Sequence, residues 1–97
     1  MAALPVPGGA GESVGLLRSG ATSLGGRIPV NPSGGLLSLG HPLAASGVRI
    51  ICELTDQLRG RAGDRQVPGA TVGLAQMLGG AATGLDAGAA SVHILTV

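Results

Sequence analysis

The sequence contains no aromatic residue and no lysine, and Cys52 is its one cysteine. Without Phe, Tyr or Trp the chain has no stacking platform for bases, and a net charge of +1 gives no basic surface for phosphates, so we expect no nucleic-acid partner. One cysteine cannot form an intrachain disulfide. No apolar run reaches the roughly 18 residues of a membrane-spanning helix, so we expect no membrane span.

The missing aromatic residues also limit folding. Hydrophobic residues make up 44% of the 97 positions, but 14 of them are Ala, and Gly adds 19 more. Aromatic side chains bury roughly 150–250 Å² each, and glycines lose more backbone freedom on folding than other residues. We therefore expect the free chain to be partly unfolded, self-associated or insoluble, as suits a piece that packs within a larger assembly.

The two ends of the chain carry no targeting signal that we recognise. Residues 1–11 are small, apolar and rich in Gly and Pro, and we predict a flexible lead-in. They lack the basic segment and long apolar core of a secretory signal, and the last residues, HILTV, are not a peroxisomal tail. A cytoplasmic location is the expectation.

A helix is predicted at about residues 44–59, with Ser46 as a possible N-cap and Gly60 as its stop. Arg49 and Glu53 are four residues apart and can pair on this helix. One apolar stripe recurs at helical spacing and comprises Val48, Ile51, Cys52, Thr55 and Leu58. Because Cys52 lies on this stripe, we expect it to be inert core.

Two strands are predicted at residues 71–78 and 89–97, close enough in sequence to pair antiparallel. In the first, Val72, Leu74, Gln76 and Leu78 alternate with Gly73, Ala75 and Met77. The second is apolar on both faces, as in a buried sheet. One helix on such a pair leaves one face of the sheet uncovered.

The other segments are predicted to be mostly loops. Residues 12–30 are interrupted by glycines, with a short strand possible at 27–30, and residues 60–69 are expected to form a surface loop. Residues 79–88 form a Gly-Ala-rich loop in which Asp86 is expected to form a turn.

Glycine, histidine and proline are concentrated in residues 31–47, which read NPSGGLLSLGHPLAASG. Glycines let a backbone approach a ligand closely, and Pro42 fixes a turn. A histidine on such a loop can accept a proton at neutral pH, so His41 is a candidate general base. Taken alone, a histidine between Gly and Pro is more often a structural loop residue than a catalytic one.

This segment resembles the Gly-His-Pro signature of the thiolase family. The matching residues are Asn31, Gly34, Gly35, Leu37, Ser38, Gly40, His41, Pro42, Ala44, Ser46 and Gly47. The resemblance extends over about residues 11–97, and it implies an α/β fold. This would be a partial C-terminal half of the duplicated thiolase-like fold, with one main helix packed on two or three strands and residues 12–97 forming the domain fragment.

The resemblance also implies a chemistry. Thiolase-like proteins cleave or condense acyl-coenzyme A through a cysteine nucleophile, which the histidine matched by His41 activates. The segment with that nucleophile, and the family's Asn-Glu-Ala-Phe-type loop, lie upstream of the matched region and have no counterpart here. The implied substrate is a coenzyme A thioester, with no permanently bound cofactor, and we expect the chain alone to be inactive.

The family's last catalytic loop, commonly Cys-x-Gly and further glycines, corresponds here to Met77-Leu78-Gly79-Gly80. Met77 stands where the family has a cysteine and cannot exchange a proton, which puts carbon–carbon condensation in doubt. The replacement of this cysteine resembles the sterol-carrier-protein-linked type of thiolase. The Gly79 N–H matches a donor of the family's oxyanion hole, and Gly80 continues this substrate-binding loop.

Several alternatives stay open. His93 alternates with apolar residues, so a buried or edge-strand role is expected, and two histidines so far apart do not predict a metal site. The chain could be completed by a protein partner or by a second copy of itself. It could also be a non-catalytic truncated remnant, or a structural partner docking on a full thiolase subunit. An acyl-coenzyme A or lipid-binding module is disfavoured, because half a pocket without aromatic residues encloses little ligand.

Overall fold

The computed structural model describes residues 10–80 and 88–97. Its elements are, in chain order, α1 (Ser13–Arg18), α2 (Gly35–Leu39), α3 (Ser46–Leu58), a 3₁₀ turn (Gly63–Arg65), β1 (Val72–Gly79) and β2 (Ala89–Thr96). The α/β class, with one main helix packed on a pair of strands, is confirmed. Within the described ranges, no helix has the length and apolar character needed to cross a bilayer.

The two strands form an antiparallel sheet in which Val72 lies opposite Thr96 and Gly79 opposite Ala89. The predicted pairing is thus confirmed. The helix α3 covers the β1 face that carries the small residues, and Ala75 on this face is only 5% exposed. A β-carbon placed on Gly73 would lie 3.0 Å from Leu54 Cδ2, so the absence of a side chain there lets helix and strand approach closely.

The predicted apolar stripe of α3 is covered only in part, since Ile51, Thr55 and Leu58 are half-buried. Val48 is 66% exposed, and Cys52 is exposed rather than in the core. The reason is that α3 meets the sheet through Gly47 and Leu54, whose neighbours are Met77 and Gly73. This contact turns the Val48 and Cys52 side of the helix toward solvent, so the prediction of a buried Cys52 is wrong.

The C-terminus of α3 follows the expected pattern. Gly60 adopts a left-handed conformation with φ of +69°. Its N–H donates to Gln57 O at 3.2 Å, and the Arg61 N–H donates to Asp56 O at 2.8 Å. These two bonds satisfy carbonyls that the end of a helix leaves free, as in a Schellman motif. The predicted stop at Gly60 is confirmed.

Three predicted loops contain short helical elements instead. Within residues 12–30 the structure has α1 and no strand at 27–30. Ile28 and Val30 instead donate their N–H groups to Ala21 O and Thr22 O in the preceding turn. The loop before α3 contains α2, and the loop after α3 contains the 3₁₀ turn. Most of the lead-in 1–11, and Asp86 with most of its loop, lie outside the described residues.

The second face of the sheet has no covering element within the described residues. We call it the open face; it comprises Val72, Leu74, Gln76, Leu78, Ala90, Val92, Ile94 and Thr96. Val92 is 55% exposed and Ile94 is 61% exposed. The predicted uncovered face is confirmed, and β2, although apolar on both faces, is exposed along most of its length.

Candidate active site

The loop that precedes α3 is shaped by residues in unusual backbone conformations. Asn31 has φ of +49° and Gly34 has φ of +92°, and between them the chain turns into α2. A β-carbon on Gly35 would lie 3.1 Å from Asn31 Nδ2, so this glycine leaves room for the Asn31 side chain. Gly40, with φ of +76°, ends α2 and directs the chain to His41.

His41 is exposed, but one edge of its ring is held. Its Nδ1 lies 2.7 Å from the Ser46 hydroxyl oxygen, and that oxygen lies 3.1 Å from Pro42 O. Ser46, the first residue of α3, is only 2% exposed. Among the described residues the ring's Nε2 has no hydrogen-bond partner. The ring is therefore anchored through one nitrogen and presents the other.

The backbone just before His41 is held by Arg49. Its Nη1 donates to Leu39 O at 3.1 Å, and its Nη2 donates to Gly40 O at 2.8 Å. The predicted pair between Arg49 and Glu53 does not form, because Arg49 reaches back along the helix to the loop. Both Ser46 and Arg49 thus connect the first turns of α3 to the segment that carries His41.

Glu53 instead pairs with Arg65, whose Nη2 lies 2.8 Å from Glu53 Oε2. The hydrogen bond from Arg65 lowers the pKa of Glu53, partial burial opposes this, and a hydrogen bond from Gln57 and the Arg65 charge reinforce it. Gln57 is 4% exposed and connects α3 to the next loop, donating to Arg65 O at 2.7 Å and accepting from the Val67 N–H at 2.8 Å. This polar cluster fixes the C-terminal half of α3.

The residues of the predicted substrate loop lie at the end of β1. The Met77 side chain packs beside Gly47, with Cγ 3.7 Å from where a β-carbon of Gly47 would stand. Gly47 follows Ser46, so Met77 and His41 adjoin the same first turn of α3. Gly79 is exposed and two residues further on, about 7 Å along the strand. Gly80 is exposed too, and its carbonyl accepts from the Gly88 N–H at 3.3 Å.

Two other candidate residues lie apart from this loop. Cys52 follows Ser46 by six positions, about 9 Å along the helix axis. His93 is exposed on β2, opposite Ala75, which fits the edge-strand alternative. In the two described ranges, no three His, Cys, Asp or Glu side chains come together as metal ligands would.

Sequence reasoning missed two of the residues that organise this region. Arg49 was expected to pair within α3, and Gln57 was not singled out. Apart from its match to the signature, the one role predicted for Ser46 is that of an N-cap, yet the N-cap is Ala45, without a side-chain bond. A usable clue was the position of Ser46, five residues after His41 and at the start of a helix that follows a fixed proline turn.

The chain matches the family model described as thiolase C-terminal domain-like over residues 8–96. This match covers nearly all of the chain, and it includes the His41 loop, α3 and both strands. The chain therefore belongs to the thiolase C-terminal domain-like family.

Relatives of this chain include an acetyltransferase, a sterol carrier protein and a thiolase subunit. It is 49% identical over 86 residues to an acetyl-CoA acetyltransferase of Methanothermobacter thermautotrophicus, covering 89% of this chain and 21% of the relative. It is 52% identical over 69 residues to human sterol carrier protein 2, covering 71% of this chain and 13% of the relative. The benzoylsuccinyl-CoA thiolase subunit BbsB of Thauera aromatica is 39% identical over 71 residues, covering 72% of this chain and 18% of the relative.

The chain spans about a fifth or less of the length of these relatives. No solved structure matches it.

Proposed function

We propose that this chain is the C-terminal portion of a thiolase-type acyltransferase that acts on acyl-coenzyme A thioesters in the cytoplasm. On this proposal it is inactive alone and works with a segment that supplies a cysteine nucleophile. The observation that carries the proposal is the state of His41, whose ring is anchored at Nδ1 by Ser46 and has no described partner at Nε2. Family membership and the names of the relatives support the choice of thioester chemistry.

The proposed chemistry begins with a proton transfer. A free cysteine has a pKa of about 8.5, so a nearby base is needed for thiolate at neutral pH. His41 Nε2 takes the thiol proton, and the thiolate attacks the thioester carbonyl. The new bond joins the acyl group to cysteine, the bond to the coenzyme A sulfur breaks, and the imidazolium returns its proton to the departing thiolate. A general base of this kind contributes about 10²–10⁴ in rate.

The end of β1 contributes differently on this proposal. The N–H of Gly79, with Gly80 beside it, stabilises the oxyanion that forms when the thiolate attacks. Met77 has no exchangeable proton, so its position supplies neither an acid nor a base. The acyl-cysteine bond is then broken by a second thiol or by water, whose proton passes to His41 Nε2 and from there to the cysteine sulfur. The proposed reaction is therefore acyl transfer to a thiol or thioester hydrolysis, without a condensation step that needs a second cysteine.

A chimeric enzyme tests this proposal. Residues 12–97 would replace the matched region of the Methanothermobacter acetyltransferase, whose remaining residues stay unchanged. We expect thioester cleavage by the chimera, and His41→Ala to lower kcat by about 10²–10⁴. His93→Ala is the matched control, because it removes the other histidine from an exposed strand position, and its rate should stay near that of the parent chimera. An active chimera that His41→Ala leaves unaffected would exclude the proposed base.

The isolated chain gives a second test. We expect no thioester cleavage above background from the full 97-residue protein, and the same result for Cys52→Ala. Although Cys52 is exposed, it lies on a different part of α3 from the His41 anchor. Turnover that disappears on Cys52→Ala would show that this chain carries its own nucleophile.

A second candidate function is a non-catalytic remnant or structural partner that docks on a full thiolase subunit. The exposed Val92 and Ile94 of the open face favour it, because they form part of an apolar surface that could bind another protein. On this alternative, the chain co-sediments with a complete thiolase without changing its rate, and the chimera described above is inactive. An active chimera that depends on His41 would contradict it.

A further inference from the structure

The hydrogen bonds around Ser46 specify the state of the His41 ring. We infer that Ser46 holds neutral His41 in the tautomer with the proton on Nδ1, so that Nε2 carries the lone pair. This inference deepens the proposed function, on which the catalytic use of that lone pair rests. Ser46 is then a positioning residue: it acts on the reacting groups only through His41.

The assignment follows from the number of protons available. The Ser46 hydroxyl has one proton and two polar neighbours, His41 Nδ1 at 2.7 Å and Pro42 O at 3.1 Å. A carbonyl oxygen can only accept, so the bond to Pro42 O uses the hydroxyl proton. The shorter contact must then be donated by Nδ1–H to the hydroxyl oxygen.

The opposite arrangement is less favourable. If the Ser46 hydroxyl donated to His41 Nδ1, two oxygen atoms would lie 3.1 Å apart with no proton between them. Pro42 O also accepts the N–H groups of Ala45 and Ser46, each at 3.1 Å, so the turn holds this oxygen in place and it cannot move away from the Ser46 oxygen. When Nδ1–H donates to the Ser46 oxygen and the Ser46 hydroxyl donates to Pro42 O, each of these contacts contains a proton.

Burial strengthens the effect of this contact. Ser46 is 2% exposed, so water has almost no access to compete for its hydroxyl. The same residue begins α3, and its backbone is fixed by the helix and by the turn at Pro42. A buried hydroxyl on a fixed backbone can orient an exposed ring, whereas a surface serine would exchange its partner with solvent.

The inferred tautomer suits a base that must work repeatedly. When Nε2 accepts a proton, Nδ1 still carries its own proton, so the bond to Ser46 is kept in both states of His41. The ring therefore does not have to reorient between accepting a proton and returning it. With the other tautomer, Nε2 would already hold a proton and could not act as the base.

Nitrogen-15 NMR of the histidines tests the inference directly on the full chain. The labelled protein is measured as a sedimented solid, so that self-association does not prevent the measurement, about two pH units above the ordinary histidine pKa. We expect His41 to show a protonated Nδ1 and an unprotonated Nε2. His93 is the internal control, because it is exposed on β2 and is not one of the hydrogen-bond partners of the Ser46 hydroxyl.

Two variants of nearly identical shape isolate the hydroxyl. Ser46→Thr keeps it and Ser46→Val removes it, so any strain from the extra methyl group is common to both. We expect the threonine variant to keep the Nδ1–H tautomer of His41 and the valine variant to lose its dominance, with the His93 signals unchanged. Should both variants lose the helix, the tautomer of the parent chain decides the question alone.

The inference is overturned if the parent His41 carries its proton on Nε2, or if Ser46→Val leaves the tautomer unchanged in a folded chain. Its failure is distinct from failure of the proposed function, which the activity of His41→Ala in the chimera decides. In that chimera Ser46→Val should lower kcat more than Ser46→Thr, with KM little changed. If His41 has the inferred tautomer but the His41→Ala chimera is fully active, the inference about Ser46 stands and the proposed catalytic use of His41 is excluded.

Discussion

The two faces of the sheet differ in how closely they are packed and in the size of the side chains at their centres. The face under α3 carries Gly73 and Ala75 on β1 and is closely packed, whereas the open face carries large apolar side chains such as Val92 and Ile94, each more than half exposed. In a self-sufficient domain the large side chains would be inside. Within residues 10–80 and 88–97, the buried hydrophobic residues are two alanines, Ala62 and Ala75.

This difference indicates which contacts the chain completes by itself. The packed side is held by close backbone approach and by polar bonds, including those of Ser46, Arg49 and Gln57. The open face offers apolar area that nothing in the described residues covers. The loop that presents His41 is held by contacts of the packed side, so its geometry does not depend on whether the open face is covered.

The largest expected effect comes from making the open face polar. We predict that the double variant Val92→Lys/Ile94→Lys weakens self-association of the chain. Full burial of such a side chain is worth about 1.5–3 kcal/mol, and Val92 and Ile94 have 55% and 61% of their surface left to bury. The association constant should therefore fall about 10–300-fold if both are buried in the associated form. Sedimentation velocity over a range of concentrations measures the change.

The matched control places the same charges elsewhere. Val14 and Leu17 on α1 are 53% and 68% exposed, so Val14→Lys/Leu17→Lys removes similar apolar area from a different surface. We expect this control to associate as the parent does. Equal effects of the two double variants, or a parent chain that is a monodisperse monomer, would show that the open face is not the surface that self-associates.

A smaller effect is expected from filling the packed face. In Gly73→Val the new side chain would meet Leu54, whose Cδ2 already lies 3.0 Å from the position of a β-carbon. Overpacking of this kind costs about 1–3 kcal/mol. Urea unfolding followed by the helix signal measures the free energy of unfolding, with Val92→Lys/Ile94→Lys as the soluble background.

Ala90→Val is the control for this substitution, because it also enlarges a side chain but on the open face. We expect its free energy of unfolding to change by no more than about 0.5 kcal/mol. If Gly73→Val proved as harmless as Ala90→Val, close packing of α3 on β1 would not be what stabilises this side of the sheet.

The sequence predicted the elements better than it predicted their contacts. The helical spacing and Gly60 correctly indicated α3 and its end, and the alternation along β1 assigned its two faces. The predicted orientation of α3 is wrong at Val48 and Cys52, because a prediction from an apolar stripe gives no weight to glycine. Because Gly47 and Gly73 have no side chain, α3 and β1 approach each other at these two positions, and Val48 consequently faces solvent.

The candidate site shows the same limit. The Gly-His-Pro resemblance drew attention to His41, and the catalytic role of this residue stays a prediction. The bonds of Ser46 to His41 and of Arg49 to Leu39 O depend on how the loop folds back over α3. Such contacts depend on three-dimensional geometry, and neither periodicity nor motif spacing encodes them.

The smallest expected effect concerns the polar cluster at the other end of α3. Arg65 holds the pKa of Glu53 below its ordinary value of about 4.5, with a smaller opposing contribution from burial. Because the folded pKa is the lower one, this stabilisation is fully present above about pH 4.5 and is lost as pH falls through the folded pKa. Glu53→Gln should therefore lower the urea midpoint at neutral pH, in the same soluble background.

The difference between Glu53→Gln and its parent should shrink below about pH 4.5 and disappear once Glu53 is protonated in the folded chain. Glu12→Gln, which removes a carboxylate next to α1, should show no such convergence. A constant difference between Glu53→Gln and the parent at all pH values would mean that Glu53 acts through shape rather than charge. The packed side of the sheet would then owe its stability to close packing and neutral hydrogen bonds, such as those of Gln57 to Arg65 O and Val67 N, with no measurable share from the ion pair.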